Sequence, residues 1–391
     1  MLTDVTIEGL RGVGRVELHF APGQRVYTLF GENGVGKTKC LEALYQFLLA
    51  ANKSFVQDYW VKQRNEPVSR NLAVMARMWD KSTEGLLEVP DQGDFFSLEQ
   101  IWKEKVPLHS IPVVFIGADR RASLAKEDVV LADVVGTSAD RRQAYFDDLY
   151  KVLHSGHLSD LGMTGSTRTW LGTRARSANP YQKSKDNRKV DIDTVLSILN
   201  VIEPSIDREY LKIDGRGNIF LKVGENEREL GVLSSGYAAL VKLIQAIVAG
   251  YAAFTNEVQL QNVRGIVLID EIDSHLHAQW QVRIIPLLKK LLPNTTFYVA
   301  THSPLVLSQL LHGEAHLLKR GDDGVVRSQL LKYPGRRNFI DVLEDTLGVD
   351  LNKLKLDSFD LLGPDEQEKI KAQMTEAKGR LLKLLEEQAE A

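Results

Sequence analysis

Lys37 and Thr38, which follow three glycines within six residues, form a group suited to holding phosphate. Residues 31–38 read Gly-Glu-Asn-Gly-Val-Gly-Lys-Thr, a complete G-x-x-x-x-G-K-T loop. Gly31, Gly34 and Gly36 allow backbone angles and a close approach that a Cβ would block. In such a loop the backbone N–H groups cradle phosphate oxygens, the lysine reaches the β- and γ-phosphates, and the threonine hydroxyl ligates Mg2+. The candidate nucleotide set is Gly31, Asn33, Gly34, Gly36, Lys37, Thr38 and Lys39, with ATP and Mg2+ as expected ligands. Asp270 and Glu271 add two adjacent carboxylates, the first to hold Mg2+ and the second to take a proton from an attacking water. Ser234, Ser235 and Gly236, in Leu-Ser-Ser-Gly at 233–236, read either as a plain helix cap or as an anion site for a γ-phosphate. His302, in Thr-His-Ser-Pro at 301–304, serves either local structure or a hydrogen bond to that phosphate.

The flanking residues predict the elements that position this chemistry. Residues 25–30 are a β-branched and aromatic run that reads as a strand, and 39–49 carry apolar residues at helical spacing. A strand, a glycine turn and a helix N-terminus aim N–H groups and a helix dipole at the same phosphates. Residues 265–269 form an uninterrupted apolar strand delivering Asp270 and Glu271, as a buried parallel sheet requires. A second strand over 295–300 delivers His302, and a helix is expected from Ser234 to about Val248.

Phosphate loop, LSSG, Asp-Glu strand and His strand, in that order, resemble the sequence plan of the ABC-type AAA ATPases. The resemblance is closer to the soluble OLD-like and RecF-like heads, and residues 1–50 and 230–310 carry it. Residues 5–12 and 16–20 look like their first hairpin, and Asp-Glu-Ile-Asp-Ser-His-Leu-His at 270–277 looks like their D-E-x-x-x-H-L-H block. The resemblance implies an active site shared between two heads. The phosphate loop, Asp270, Glu271 and His302 of one head bind ATP and Mg2+, and the LSSG helix of the other closes on the γ-phosphate. Asp273 then lies across that interface, and Arg11 contacts the nucleotide. With one copy of each motif, a homodimer or higher homo-oligomer is expected. Tyr237 departs from the pattern, standing where many relatives have Gln or Glu. The glutamine-loop residue stays open among Gln57, Gln63 and the Asp119-Arg120-Arg121 segment.

The OLD-like resemblance implies a switch ATPase in a bacterial anti-phage defence system, joined by ATP, separated by hydrolysis, and controlling a separate effector protein. After His302 no acidic cluster resembles the metal site of an OLD nuclease, so any toxic activity is expected elsewhere. The RecF-like resemblance implies instead a DNA-repair clamp that sits on DNA as an ATP-bound dimer. A scaffold that binds ATP with negligible hydrolysis is a third reading, which Lys37, Thr38, Asp270 and Glu271 argue against.

Composition sets the frame. The fold class expected is α/β, an ABC-type P-loop ATPase head with a largely helical insertion and a C-terminal helical extension. The head occupies 1–335, interrupted by an insertion or lid at 51–225, and the extension occupies 336–391. Within the insertion, 113–116 reads as a core strand, 117–160 as helical, and Trp60, Trp79 and Trp102 as core aromatics. Residues 167–190 hold Arg168, Arg174, Arg176, Lys183, Lys185, Arg188 and Lys189 against Asp186 alone, a net of +6. Ser, Gly, Asn and Pro interrupt that run, so it reads as a mobile loop: solvated, facing an acidic protein, or contacting nucleic acid through Trp170 and Tyr181. A net charge of −3 gives no global attraction to nucleic acid, and one cysteine, Cys40, excludes an intrachain disulfide and fits the reducing cytoplasm. The most apolar stretch, 240–254, is too short to span a membrane and contains Lys242. In the extension, residues 370–385 carry an apolar stripe of Ile370, Met374, Leu381, Leu382, Leu384 and Leu385 that suits an amphipathic helix.

Overall fold

The computed structural model describes residues 2–62, 108–119, 135–155, 166–178, 186–257 and 259–336, the backbone of two strands at 73–78 and 84–88, and a few positions between. The chain divides into two compact units, Met1–Arg337 and Asn338–Ala391. The second unit apart from Glu368, and with it the expected amphipathic helix, lies outside the described residues, as do Gln63, Arg120, Arg121, Trp79, Trp102 and the side chain of Trp60.

The first unit is built on a ten-stranded sheet. Its strands in chain order are β1 (Leu2–Leu10), β2 (Gly14–His19), β3 (Val26–Phe30), β4 (Ala73–Met78), β5 (Glu84–Glu88) and β6 (Val113–Ile116). A separate three-stranded sheet holds β7 (Ile206–Ile213), β8 (Ile219–Val223) and β9 (Asn226–Glu229). The large sheet then takes β10 (Ile266–Ile269), β11 (Thr296–Ala300), β12 (Ala315–Arg320) and β13 (Val326–Leu330), in the order β5-β4-β1-β2-β13-β12-β3-β11-β10-β6. The block β12-β3-β11-β10-β6 is parallel, and β1, β2, β4 and β5 pair antiparallel beside it.

Every residue of β3, β6, β10 and β11 is buried, which is why these strands do not alternate; β6 and β10 are apolar throughout, and β3 and β11 each add one buried threonine, Thr28 and Thr296. On one face, Leu29, Phe115, Leu268 and Tyr298 share a core with Leu41, Leu44, Phe47 and Leu48 of the helix Lys37–Ala50. Burial of each such side chain stabilises by about 1.5–3 kcal/mol. Val114 of β6 lies against the helix Ser235–Phe254, close enough that a Cβ on Gly250 would sit 2.5 Å from it. That helix spans 20 residues, long enough to cross a membrane, but 83% of its most apolar window is buried in the protein. Burial, and not shortness, makes it a core helix.

The region 51–225 contributes the helices Lys53–Lys62, Ser138–Ser155, Thr167–Ser177 and Lys189–Ile202, and also the strands β4, β5 and β6 of the main sheet and β7 and β8 of the smaller one. The expected mobile loop at 167–190 is a helix for its first half. Ser166 caps it by accepting from Thr169 N at 3.2 Å, and Arg174 and Arg176 stand in its last turn, where the helix dipole favours cations. The charge is also not free. Arg174 bonds Asp191 at 2.9 Å and stacks over the Trp170 ring at 3.9 Å, and Arg188 pairs with the same carboxylate. Arg168 donates to Gly217 O at 3.1 Å. Among the described residues of this segment the exposed cations are Arg176, Lys183 and Lys189, the last paired with Asp193 at 2.9 Å, and Lys185 lies outside the described residues.

Asp191 and Arg188 are 0% and 1% exposed and Arg174 9%, so the shared carboxylate is withdrawn from water. Asp191→Asn leaves two buried guanidinium groups without their counter-charge and is expected to destabilise the chain by about 3–5 kcal/mol. A denaturant melt reads this directly, and an unmoved midpoint refutes it.

Candidate functional site

Neighbouring parallel strands end together. Leu29 pairs with Ala300, Val299 with Ile269, and Ile269 with Ile116, so the segments after β3, β11, β10 and β6 emerge on one carboxyl edge. The phosphate loop follows β3, Asp270 and Glu271 follow β10, and Thr301, His302 and Ser303 follow β11. Asp119, exposed, follows β6 on the same edge, whereas Gln57 is an exposed residue of the helix Lys53–Lys62.

Gly31, Gly34 and Gly36 all have positive φ, at 145°, 79° and 108°. Gly36 is both cap and contact: it begins the helix Lys37–Ala50 in the left-handed region, and a Cβ on it would lie 2.8 Å from Val13. No side chain caps that helix, so its first N–H groups face into the loop. Lys37 is 5% exposed and folds back over the loop, donating to Gly31 O at 2.9 Å and Glu32 O at 2.8 Å. Burial pushes its pKa down to about 8, against the opposing pull of Asp270, Glu271 and Asp273.

Thr38 Oγ1 donates to Asp270 Oδ1 at 3.0 Å, and Asp270 N donates to Ile116 O at 2.9 Å. Two hard oxygen donors thus stand side by side next to the phosphate loop. Among the described residues no group of three or more His, Cys, Asp or Glu side chains could hold a metal. Two protein oxygens would leave the rest of a cation's shell to water and phosphate, the coordination that suits Mg2+. Glu271 adopts φ 44°, with Ile272 N bonded to Ala300 O at 3.1 Å and Ser274 N to Glu271 O at 2.8 Å. His302 is half-buried; burial first and the Lys37 charge second hold its pKa below the usual histidine value, outweighing Asp273 and Glu271. The shift favours the neutral imidazole.

The structure thus groups Lys37, Thr38, Asp270, Glu271 and His302. Ser234 and Ser235 are exposed at the start of the helix Ser235–Phe254, where Ser234 makes no side-chain cap bond. Asn33 and Arg11 are exposed, Arg11 in the β1–β2 turn whose Val13 abuts Gly36. The Lys39 ammonium pairs with Glu42 at 2.6 Å, away from the loop.

Several supporting residues are invisible in the sequence. Arg320 Nη1 donates to Val13 O at 2.8 Å, fixing the turn behind Gly36. Thr301 donates to the Asp273 carboxylate, and Ser303 Oγ donates to Gln281 at 2.7 Å. Ser303 also accepts from Leu305 N and Val306 N at 3.1 and 3.3 Å as an N-cap before Pro304. That Ser-Pro start was the one readable signal.

Residues 186–308, which include LSSG, Asp270, Glu271 and His302, match a family described as "AAA domain, putative AbiEii toxin, Type IV TA system". Residues 1–111, which include the phosphate loop, match "Protein of unknown function (DUF2813)". A Septu protein PtuA of Bacillus thuringiensis is 24% identical over 365 residues, covering 90% of this chain and 85% of that protein. A retron Vc95 probable ATPase of Vibrio cholerae serotype O1 biovar El Tor is 32% identical over 149 residues, covering 36% of this chain and 29% of that protein. Among solved structures, an Smc head bound to the C-winged helix domain of ScpA aligns with a TM-score of 0.44 at 15% identity, covering 85% of this chain and 97% of that one.

Proposed function

We propose that this ABC-type P-loop ATPase, similar over most of its length to a Septu PtuA protein, binds and hydrolyses ATP as the switch of a bacterial anti-phage defence system. The observation that carries the ATPase reading is the Thr38–Asp270 contact of 3.0 Å beside a buried Lys37. The defence reading rests on relatives that carry Septu and retron names.

ATP enters with its phosphates against the N–H groups of residues 31–38, and the Lys37 ammonium moves from the Gly31 and Glu32 carbonyls to the β- and γ-phosphate oxygens. Thr38 and Asp270 would hold Mg2+, which would supply positive charge against the phosphate oxygens and the leaving oxygen. Glu271 accepts the proton of the attacking water at its carboxylate. Neutral His302 donates one hydrogen bond to the γ-phosphate. The exposed Ser234 and Ser235, with Gly236, of a second head close on that phosphate from the opposite side, so ATP joins two heads and hydrolysis releases them. The joined pair controls a separate effector protein.

The DNA-clamp alternative asks the 167–190 segment to provide a basic surface. Arg174 and Arg188 are consumed by Asp191 inside the protein, which leaves that surface weaker than the charge count implies.

The test is to purify the chain with the product of its neighbouring gene and measure mass and composition with and without ATP. An ATP-dependent pairing of heads in a complex that contains the neighbour is expected. Heads that stay single with ATP refute the switch, and ATP-paired heads on duplex DNA without the neighbour favour the clamp.

A further inference from the structure

The helix Ala278–Gln281 has only four residues, yet it touches two places that the proposed chemistry uses at once. On one side Gln281 Nε2 donates to Leu276 O at 2.9 Å and Asp273 O at 3.4 Å, while its Oε1 accepts from Ser303 Oγ at 2.7 Å. Ser303 N donates to Thr301 Oγ1 at 3.0 Å, and Thr301 donates in turn to the Asp273 carboxylate. His302 therefore sits between two residues that are both locked to the same loop.

On the other side is Trp280, 8% exposed. Its ring meets Tyr237 edge-on, with centroids 5.0 Å apart and planes at 86°. A Cβ on Gly236 would lie 2.8 Å from that ring, so glycine is what lets the LSSG helix come this close. Gly236 and Tyr237 are in the first turn of the helix whose N-terminus carries Ser234 and Ser235. Adjacent residues of one helical turn cannot move independently, and a packed interior transmits a displacement rather than absorbing it.

Resting on the shared-site reading above, we propose that this short helix is a positioning element that joins His302 and Asp273 of a head to the LSSG of the same head. In a shared-site pair, a head's own phosphate loop and its own LSSG serve different nucleotides. The contact through Gln281 and Trp280 then makes the occupancy of one nucleotide site set the geometry of the other. Tyr237, the departure from the usual Gln or Glu, is the residue that meets Trp280.

Mixed pairs of full-length chains separate this coupling from simple packing. One chain carries Lys37→Ala, so a single working phosphate loop remains, on the other chain. Trp280→Ala is then placed on the chain that owns the working loop, whose LSSG faces the disabled site. The expected result is a kcat about tenfold lower with KM for ATP within about twofold, and substantial recovery with Trp280→Phe. Gln281→Met in the same chain reproduces the loss, and it decides the matter if Trp280→Ala melts early. A loss seen only when the substitution lies on the chain lending its LSSG to the working site overturns the coupling and leaves Trp280 a packing residue. Failure of the underlying reading looks different: unaltered chains then hydrolyse no ATP, or Lys37→Ala on one chain leaves the rate of the pair untouched.

Discussion

Glu271→Gln is expected to hydrolyse ATP about 10²–10⁴-fold more slowly than the parent while still binding it, and to accumulate as ATP-joined pairs. The backbone at this position is fixed independently of the side chain. Ile272 N is held by Ala300 O, Ser274 N closes a turn onto Glu271 O, and φ at Glu271 is 44°. Gln occupies the same volume and meets the same left-handed conformation, at a cost of about 1–2 kcal/mol that is common to both residues. Stability should therefore hold while the proton acceptor disappears. Phosphate release and light scattering with ATP read the two halves separately, and an unaltered rate removes Glu271 from the role of base.

Lys37→Met is expected to lower kcat/KM for ATP by about 10²–10³-fold, the scale for losing one preorganised donor to a charged oxygen. Its thermal melt in the absence of nucleotide should not fall, because the lysine is a desolvated cation with a pKa of about 8 in the folded chain. The protonated form is disfavoured on folding, so this group's contribution to stability is unfavourable below about 8 and improves as the pH rises toward the ordinary lysine value of 10.5. Phosphate binding reverses that preference and requires the proton. The parent should accordingly take up a proton on binding ATP above pH 8, with affinity falling by up to roughly tenfold per pH unit there. Calorimetry in buffers of different ionisation enthalpy measures that uptake. An affinity flat from pH 7 to 10 contradicts the assignment, as does a methionine variant that ATP still stabilises.

The parts of this site legible in the sequence were those written in contiguous residues. The glycine loop, the all-apolar β10 ending in Asp270, and β11 ending before His302 each combine a local pattern with a local consequence. Other features depend on residues far apart in the chain. The basic run at 167–190 looked free because its counter-charge, Asp191, lies one residue past the window and is reached by a helix turning back on Arg174 from 17 positions away. Arg320 supports a turn 307 positions upstream, and no spacing rule connects the two. The strands β4 and β5 at one end of the large sheet and the sheet of β7, β8 and β9 leave no such mark; β9 alternates charged residues that give no apolar period. The left-handed φ of Glu271 is set by tertiary bonds and leaves no mark on residue type.

Cys40 lies 0% exposed on the phosphate-loop helix, and burial pushes its thiol up to about 12. As the chain's single sulfhydryl, it stays protonated and sealed from peroxide and alkylating reagents at neutral pH. The native protein thus has no reactive thiol background, and a cysteine introduced at exposed Tyr181 or beside the LSSG at Val232 would be the sole target of a dye or spin label. Opening and closing of paired heads could be followed as a distance, in real time, on a chain otherwise unchanged.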